Sequence, residues 1–474
     1  MAAGFAMTAE ATVTGITADS RAVAPGFLFA ALPGSRVDGR SFIADAVARG
    51  AAAVLARDGL AWPPGVPTVP LVLAAEPRQA LARIAARFHG AQPRQVAAVT
   101  GTNGKTSTVD FLRQILASAG WPAASIGTLG VITPQGRIAD SLTTPDPVAL
   151  SALLARLAGE GVDALAMEAS SHGLDQFRLD GVRLSAAAFT NLTRDHLDYH
   201  GSMDAYRAAK LRLFADLLPT GATAVAHTAL EAASLDALRA IAARRGLRLV
   251  LAGEGGDLAA LPDHAPLPDG QRLRVRLDGV ARELHLPVAG KFQADNVLVA
   301  AALAVALEVP AAAVLDAASR VAPVRGRMEL AARLANGAAV YVDYAHTPDA
   351  LARLLAALRP HATGRLILVF GAGGDRDPGK RPLMGRAARA ADVAIVTDDN
   401  PRSEDPAAIR AAVLAGHGGA IDGGDRRHAI ARALDMARAG DVVAIAGKGH
   451  EQGQEIAGET LPFDDVSVVR EIAG

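Results

Sequence analysis

The chain contains no cysteine, which excludes a disulfide framework, thiolate catalysis and cysteine-ligated zinc. Aromatic residues supply only 4% of it, while 50% of its residues are apolar, with Ala, Leu and Val abundant. Such a composition suits helices packed on sheets better than an all-β sandwich. Charge of one sign is also lacking, since 48 basic residues face 49 acidic ones for a net charge of −1. No nucleic acid and no membrane surface is therefore expected as a partner, and any bound anion must be held by local groups. Long hydrophobic runs are missing. The most apolar one, Val297 to Leu307, is closed by Asp295 and Glu308, short of the roughly 20 residues that cross a bilayer. It predicts a buried helix. Met1 to Ser20 holds no Lys or Arg and no sustained apolar segment, so no secretory or transit peptide is read there and a cytoplasmic location is expected.

A length of 474 residues exceeds what one core usually supports. Three α/β domains are expected, over residues 1–90, 91–324 and 325–474. In the first, strand-like pieces at Phe27 to Leu32 and Ala52 to Ala56 precede a helix from Arg78 to Phe88, whose Leu81, Ile84, Ala85 and Phe88 line one face. The polar stretch Gly90 to Arg94 marks the first boundary. Next, the β run Val96 to Val99 leads through a glycine-rich turn into an amphipathic helix carrying Val109, Leu112, Ile115 and Leu116. Helices are expected at Val148 to Ala158, Met203 to Leu217 and Asn296 to Leu307, alternating with strands at Ala164 to Met167, Ala186 to Phe189 and Ala222 to Ala226. That rhythm predicts a parallel sheet, with a hairpin excursion at Leu273 to Leu286.

Past Val324 to Arg327, strands at Val340 to Asp343, Leu366 to Phe370, Val393 to Thr397 and Val442 to Ala446 alternate with helical segments, as in a Rossmann-like doubly wound sheet. Ligands of such sheets sit at the C-terminal strand ends. Those ends carry Asp343 to His346, Gly371 to Asp377, Asp398 to Arg402 and Gly447 to Glu451, all rich in polar groups.

The sharpest local feature is Thr100-Gly101-Thr102-Asn103-Gly104-Lys105-Thr106-Ser107, set between a strand and a helix. Backbone N–H groups and the positive helix end there face an anion, Lys105 suits the β- and γ-phosphates, and the Thr106 hydroxyl suits Mg²⁺. The usual phosphate-loop spacing is not met, because the glycine before Gly104 lies three positions back instead of five. By itself this loop fits a ligase, a kinase or a GTPase switch, although the Asn-Lys-x-Asp guanine reader of GTPases is absent.

The octapeptide from Thr100 resembles the nucleotide loop of the Mur ligase superfamily, which includes folylpolyglutamate synthase. Further segments resemble that family's signatures in order: Met167 to Leu174, Asn191 to Asp198, Lys210 to Phe214, Gly326 to Glu329 and Asp343 to Pro348. The similarity runs from Asp19-Ser20-Arg21 to Gly447-Lys448-Gly449-His450-Glu451, nearly the whole chain. Within the superfamily it is similar to the members that add the third residue of the peptidoglycan stem peptide. The resemblance implies a central phosphate-loop ATPase domain on a parallel sheet, a small N-terminal domain for a uridine-nucleotide sugar, and a C-terminal domain for the incoming amino acid. It implies ATP, Mg²⁺, UDP-N-acetylmuramoyl-L-alanyl-D-glutamate and meso-diaminopimelate as cofactors and substrates, acting on a monomer.

Residue roles follow from the same resemblance. Thr106, Glu168 and His196 would ligate Mg²⁺. Lys210, whose stem shares a helical face with Tyr206, Leu213, Phe214 and Leu217, would be the neutral amine that captures carbon dioxide and holds a second Mg²⁺ as a carbamate. Asn296 would contact adenine, and Arg327, Asp343 and His346 the ribose or phosphates. Gln293 departs from the asparagine common at its position. Ser20, Thr143, Thr144, Ser170, Gln176 and Arg178 match nucleotide-sugar and peptide contacts. Arg402, in Asp399-Asn400-Pro401-Arg402, is the expected reader of the distal carboxylate of diaminopimelate, because a planar guanidinium takes a carboxylate through two parallel hydrogen bonds. Lysine-adding relatives lack this arginine. Arg376, Gly447 and Glu451 complete the implied set, with Glu451 suited to the distal ammonium.

Overall fold

A computed structural model describes residues 6–7, 12–34, 37–139, 143–257, 259–267 and 270–474. Residues 1–5 and 8–11, within the stretch where no targeting peptide is expected, lie outside the described residues. Backbone contacts group the chain into two compact units, residues 1–109 with 120–249 and residues 110–119 with 250–474.

The first unit holds two sheets. In the N-terminal one, Gly15–Thr17, Phe27–Ala30, Ala53–Arg57 and Leu71–Ala74 run parallel in that spatial order, and Ala6–Met7 pairs antiparallel with the last. The helix Pro77–His89 begins with proline in its first turn and with Glu76 accepting the Arg78 N–H, and ends at Gly90 with φ 75°. Its buried stripe runs through Pro77, Leu81 and Ala85, whereas Phe88, expected on that face, is 42% exposed, with the His89 ring edge-on against it. Phe88 lies in the last turn, beyond the positions that reach the sheet.

In the second sheet of this unit, Thr223–His227, Ala186–Phe189, Gln95–Thr100, Ala164–Glu168 and Ala123–Gly127 lie parallel in spatial order. Gly130–Thr133 and Gly136–Ala139 extend it antiparallel. The four residues of Ala186–Phe189 are all buried, as a central parallel strand requires. The helix expected from Met203 to Leu217 is α-helical only over Met203–Arg212. Leu213–Leu217 widens into a π turn in which the Leu218 N–H reaches back five residues to Leu213 O.

The second unit contains the expected hairpin excursion with one strand more, Ala259–Leu267, Gly270–Leu277 and Val280–Leu286, all antiparallel. Lys291–Ala306 is the buried helix read from composition, with Asn296 through Ala304 buried without a break. It starts five residues ahead of the expected Asn296, because Gly290, with φ 85°, turns the chain just before Lys291. The C-terminal sheet has the order Glu329–Arg333, Ala339–Asp343, Val442–Ala446, Leu366–Phe370, Val393–Thr397 and Ile421–Gly424. Only the first strand is antiparallel, an edge strand that the apolar pattern did not reveal. Separate apolar clusters cover its two faces, as a doubly wound sheet demands.

One buried ion pair ties this sheet to the C-terminal helix Asp465–Ala473. Arg426 and Asp465 are both fully buried and meet as a fork, Nε to Oδ1 at 2.8 Å and Nη2 to Oδ2 at 2.7 Å, while Nη2 also donates to Ala446 O at 3.0 Å. Arg426→Ala would strand a buried carboxylate. A loss of about 3–5 kcal/mol is expected, read as a lowered urea midpoint; a midpoint equal to that of the unaltered protein refutes the assignment.

Candidate functional site

The strand Gln95–Thr100 delivers the phosphate loop to the start of the helix Lys105–Ser118. Gly101 sits at φ 148°, and a Cβ there would lie 1.9 Å from Thr190 Oγ1, so the close approach admits only glycine. The chain just past Ala186–Phe189 clamps the loop. Asn103 N donates to Asn191 Oδ1 at 2.9 Å, Thr102 N donates to Asn191 O at 2.9 Å, and Asn103 O accepts from Thr190 Oγ1 at 2.6 Å and Asn191 Nδ2 at 3.0 Å. Lys105 Nζ folds back onto Gly101 O and Thr102 O, both at 2.9 Å. Thr106 and Ser107 are buried at the helix start.

Glu168, 1% exposed at the end of Ala164–Glu168, accepts from Thr106 Oγ1 at 2.9 Å and from Thr128 N and Oγ1 at 2.8 and 3.2 Å. Lys210 is 1% exposed and donates from Nζ to Gly101 O at 2.8 Å, with its ammonium 4.4 Å from the Tyr206 ring centre. Burial, reinforced by the charge of Lys105, holds its pKa well below the usual lysine range and favours the neutral amine. Snorkelling to solvent, the common fate of such a lysine, is ruled out by this geometry. His196 caps the short helix Leu197–His200 in the left-handed region, φ 51°. Its imidazole pKa is lowered by desolvation first and by Lys105 and Lys210 after it, against the opposing charge of Asp195. The structure thus gathers Thr106, Glu168 and Lys210 around the loop, and brings His196 beside Tyr206, with ring centroids 6.2 Å apart, and thence to Thr102, which the Tyr206 hydroxyl approaches at 3.2 Å.

In the same unit, a cleft of about 600 Å³ is lined by Thr17, Asp19, Arg78, Asp146, Gln176 and Arg178 among others. Arg178 donates to Thr144 O and to Gln176 Oε1, each at 2.7 Å, and Thr144 Oγ1 in turn accepts from Ser170 N at 3.1 Å. Thr143 meets Thr128 at 3.3 Å between hydroxyls, on the Glu168 side. Ser20 opens the short helix Ser20–Ala22, next to Asp19 but not on the cleft wall. Sequence reasoning missed Arg78 and Thr128. Arg78 carries no motif, and Thr128 follows Ala123–Gly127, a strand too alanine-rich to stand out.

In the second unit the loops at the C-terminal ends of four parallel strands meet one another. Asp343 accepts from Met328 N and Ala345 N, both at 2.8 Å, and its carbonyl accepts from Gly447 N at 3.1 Å. The Arg327 guanidinium lies 4.4 Å above the Tyr344 ring, and His346, exposed, holds Tyr344 O through Nδ1 at 2.8 Å. Gln293 is 1% exposed and bridges: Nε2 donates to Arg327 O at 3.0 Å and Oε1 accepts from Asn296 Nδ2 at 3.0 Å. The departure at Gln293 therefore links two candidate nucleotide contacts. Arg402, φ 53°, donates from Nη1 to Gly374 O at 2.7 Å and pairs through Nε with Glu455 at 2.7 Å. Asn400 Nδ2 donates to Glu451 Oε2 at 2.9 Å. Gly447, φ 118°, leaves no room for a Cβ, which would fall 2.3 Å from Asp399 Oδ2. Arg376 is exposed near Gly373 on the same rim.

Such an arrangement has known counterparts. The sequence matches three models in succession, the Mur ligase family catalytic domain over residues 12–89, the Mur ligase middle domain over 99–304 and the Mur ligase glutamate ligase domain over 326–449. A UDP-N-acetylmuramoyl-L-alanyl-D-glutamate–2,6-diaminopimelate ligase of Caulobacter vibrioides is 54% identical over 465 residues, 97% of this chain and 95% of its own. A solved structure of a ligase with the same name superposes with TM-score 0.70 at 34% identity, covering 97% of this chain and 94% of that one. The MurF ligase of Thermotoga maritima in complex with ADP shares the fold, with TM-score 0.63 at 18% identity and 97% of each chain covered. This chain belongs to the Mur ligase family.

Proposed function

We infer that this chain is an ATP-dependent amide-bond-forming ligase that adds 2,6-diaminopimelate to the D-glutamate of UDP-N-acetylmuramoyl-L-alanyl-D-glutamate, in peptidoglycan precursor synthesis. The observation that carries the reading is the set of groups on adjoining strand-end loops of the C-terminal sheet. Arg376 and Arg402 offer guanidiniums and Glu451 a carboxylate, which suits a substrate with two carboxylates and two ammonium groups. The 54% identity to a relative of that name supports it along the whole chain.

A carboxylate is a poor acyl donor at neutral pH, so it is first activated. One oxygen of the D-glutamyl carboxylate attacks the γ-phosphorus of ATP, the bond to the β-phosphate oxygen breaks, and ADP leaves an acyl phosphate. The diaminopimelate amine, once deprotonated, attacks the acyl carbon, and the tetrahedral intermediate collapses with loss of inorganic phosphate. Each step shifts negative charge among phosphate oxygens, so cations and N–H donors carry the rate. In the first unit Thr102 N and Asn103 N already donate to Asn191, so Gly104 N–H and Lys105 are the groups assigned to the β- and γ-phosphates; in the second unit Asn296, Arg327, Asp343 and His346 are the assigned nucleotide contacts.

The donor set fits Mg²⁺. The Thr106 hydroxyl gives its hydrogen to Glu168, keeping a lone pair for a cation, and a hydroxyl and a carboxylate are the sparse oxygen donors that would hold Mg²⁺ beside waters and phosphate, with His196 assigned as a further ligand by the family resemblance alone. Held by these residues, Mg²⁺ would supply neutralisation of the charge on the transferring phosphoryl group. Lys210, held neutral, supplies the amine for a carbamate that would serve a second ion.

The nucleotide sugar is assigned to the cleft of Gln176 and Arg178, with Ser20, Thr143, Thr144 and Ser170 beside it. The division into residues 1–90, 91–324 and 325–474 is proposed on a monomer, with the nucleotide-sugar cleft drawing on the first two stretches through Arg78 and Arg178 and the amino-acid contacts on the third. Among the described residues no helix is long and apolar enough to cross a membrane.

Phosphate release tests the reading, with ATP, Mg²⁺ and UDP-N-acetylmuramoyl-L-alanyl-D-glutamate and either meso-diaminopimelate or L-lysine. Release with diaminopimelate alone is expected. Turnover that needs no amino acid contradicts the ligase, and turnover with lysine alone overturns the assigned substrate.

A further inference from the structure

Lys448 is fully buried, beside the strand end of Val442–Ala446. Its Nζ donates to Asn400 Oδ1 at 2.9 Å and to Glu451 Oε2 at 3.1 Å. Taking an ammonium wholly out of water is expensive, and such a group persists only when acceptors compensate it. Here the acceptors are side chains of the two loops to which amino-acid recognition is assigned. We propose that Lys448 is a positioning residue for the incoming amino acid, fixing the Asn400 amide and the Glu451 carboxylate through these two hydrogen bonds. The proposal rests on the ligase reading above.

The hydrogen bonds around Asn400 and Glu451 show what the cation adds there. An asparagine amide has one acceptor end and one donor end, and either can face a neighbour unless something chooses. Lys448 Nζ and Glu455 N, at 3.0 Å, both donate to Asn400 Oδ1, which turns Nδ2 toward Glu451. Glu451 Oε2 then receives two donors, Asn400 Nδ2 and Lys448 Nζ, and this pins the carboxylate rotamer. Both bonds fall on Oε2, so Oε1 remains for a substrate ammonium. Without the lysine, Oδ1 is held by Glu455 N alone and Glu451 Oε2 keeps only the Asn400 donor, so both side chains lose half of what fixes them. Diaminopimelate affinity would suffer while the phosphate loop stays intact.

Steady-state kinetics on the full chain decide the matter. Lys448→Met, which keeps the stem and removes the charge, is expected to raise the KM for diaminopimelate about tenfold or more, the scale of a lost hydrogen bond to a charged group. The KM for ATP should stay within about twofold, a split that a general loss of packing does not produce. Should the methionine variant fail to fold, Lys448→Gln, which removes the charge and whose amide NH2 is one bond shorter than the lysine Nζ, is judged by the same split. An unchanged KM for diaminopimelate, or parallel rises for both substrates, overturns the proposal. Unaltered protein that releases no phosphate with diaminopimelate sinks the ligase reading and this inference together, a result distinct from an active parent with an unaffected variant.

Discussion

Lys210→Ala is expected to lower phosphate release by on the order of 10²- to 10³-fold, the cost of removing one preorganised electrostatic group, with little change in the KM for diaminopimelate. The argument begins with burial. At 1% exposure, with Nζ on Gly101 O at 2.8 Å and Lys105 nearby, the amine is driven toward its neutral form. Neutral amines add carbon dioxide, losing one proton and becoming an anionic carbamate. That places a negative charge beneath the phosphate loop and supplies oxygens for a cation. Alanine offers no nitrogen, so added bicarbonate should leave the variant inactive, whereas acetate, placing a free carboxylate in the vacated space, should restore part of the rate. Full activity in Lys210→Ala, confirmed as folded by its thermal midpoint, removes the carbamate from the mechanism.

For Arg402→Ala the expected result is a KM for diaminopimelate raised about 10- to 150-fold, corresponding to ~1.5–3 kcal/mol for hydrogen bonds to a charged group. Backbone strain does not confuse the comparison. Arg402 lies at φ 53° because its N–H donates to Glu455 O at 3.0 Å and its carbonyl accepts from Ala457 N at 2.7 Å, and alanine in that frame meets much the same penalty. What changes is the guanidinium, aimed by Gly374 O and Glu455. L-lysine has no distal carboxylate, so any residual turnover with it at high concentration should be nearly unaffected. Equal losses for both amino acids would falsify the role of Arg402 as selector.

How far the sequence reached depended on how local the signal was. The loop from Thr100 was legible because a strand, a glycine-rich turn and a helix start follow one another directly, although Thr190 and Asn191, which clamp it, are distant in sequence. The strand ends of the C-terminal sheet were legible for a related reason, since apolar runs such as Leu366–Phe370 and Val442–Ala446 stop abruptly at polar groups. Edge strands were less so. Glu329–Arg333 and Gly136–Ala139 each pair on one side within their sheets and carry no buried run to announce them. Phe88 and the π turn at Leu213–Leu217 were misread because helical periodicity assumes a regular helix that packs to its last turn.

The sequence by itself determined the alternation that gives parallel sheets, the glycine-bounded phosphate loop and the residue types available for phosphate, cation and carboxylate. These follow from local backbone preference and periodic burial. Only the tertiary structure decided that Glu168 accepts from Thr106 and Thr128, that Lys210 ends on Gly101 O instead of in water, that Gln293 joins Asn296 to the Arg327 carbonyl, and that Lys448 sits beneath Asn400 and Glu451. Each joins residues from different elements, apart from the three-residue steps Gln293 to Asn296 and Lys448 to Glu451. Their energies come from desolvation and hydrogen-bond geometry, which exist only once distant segments have packed.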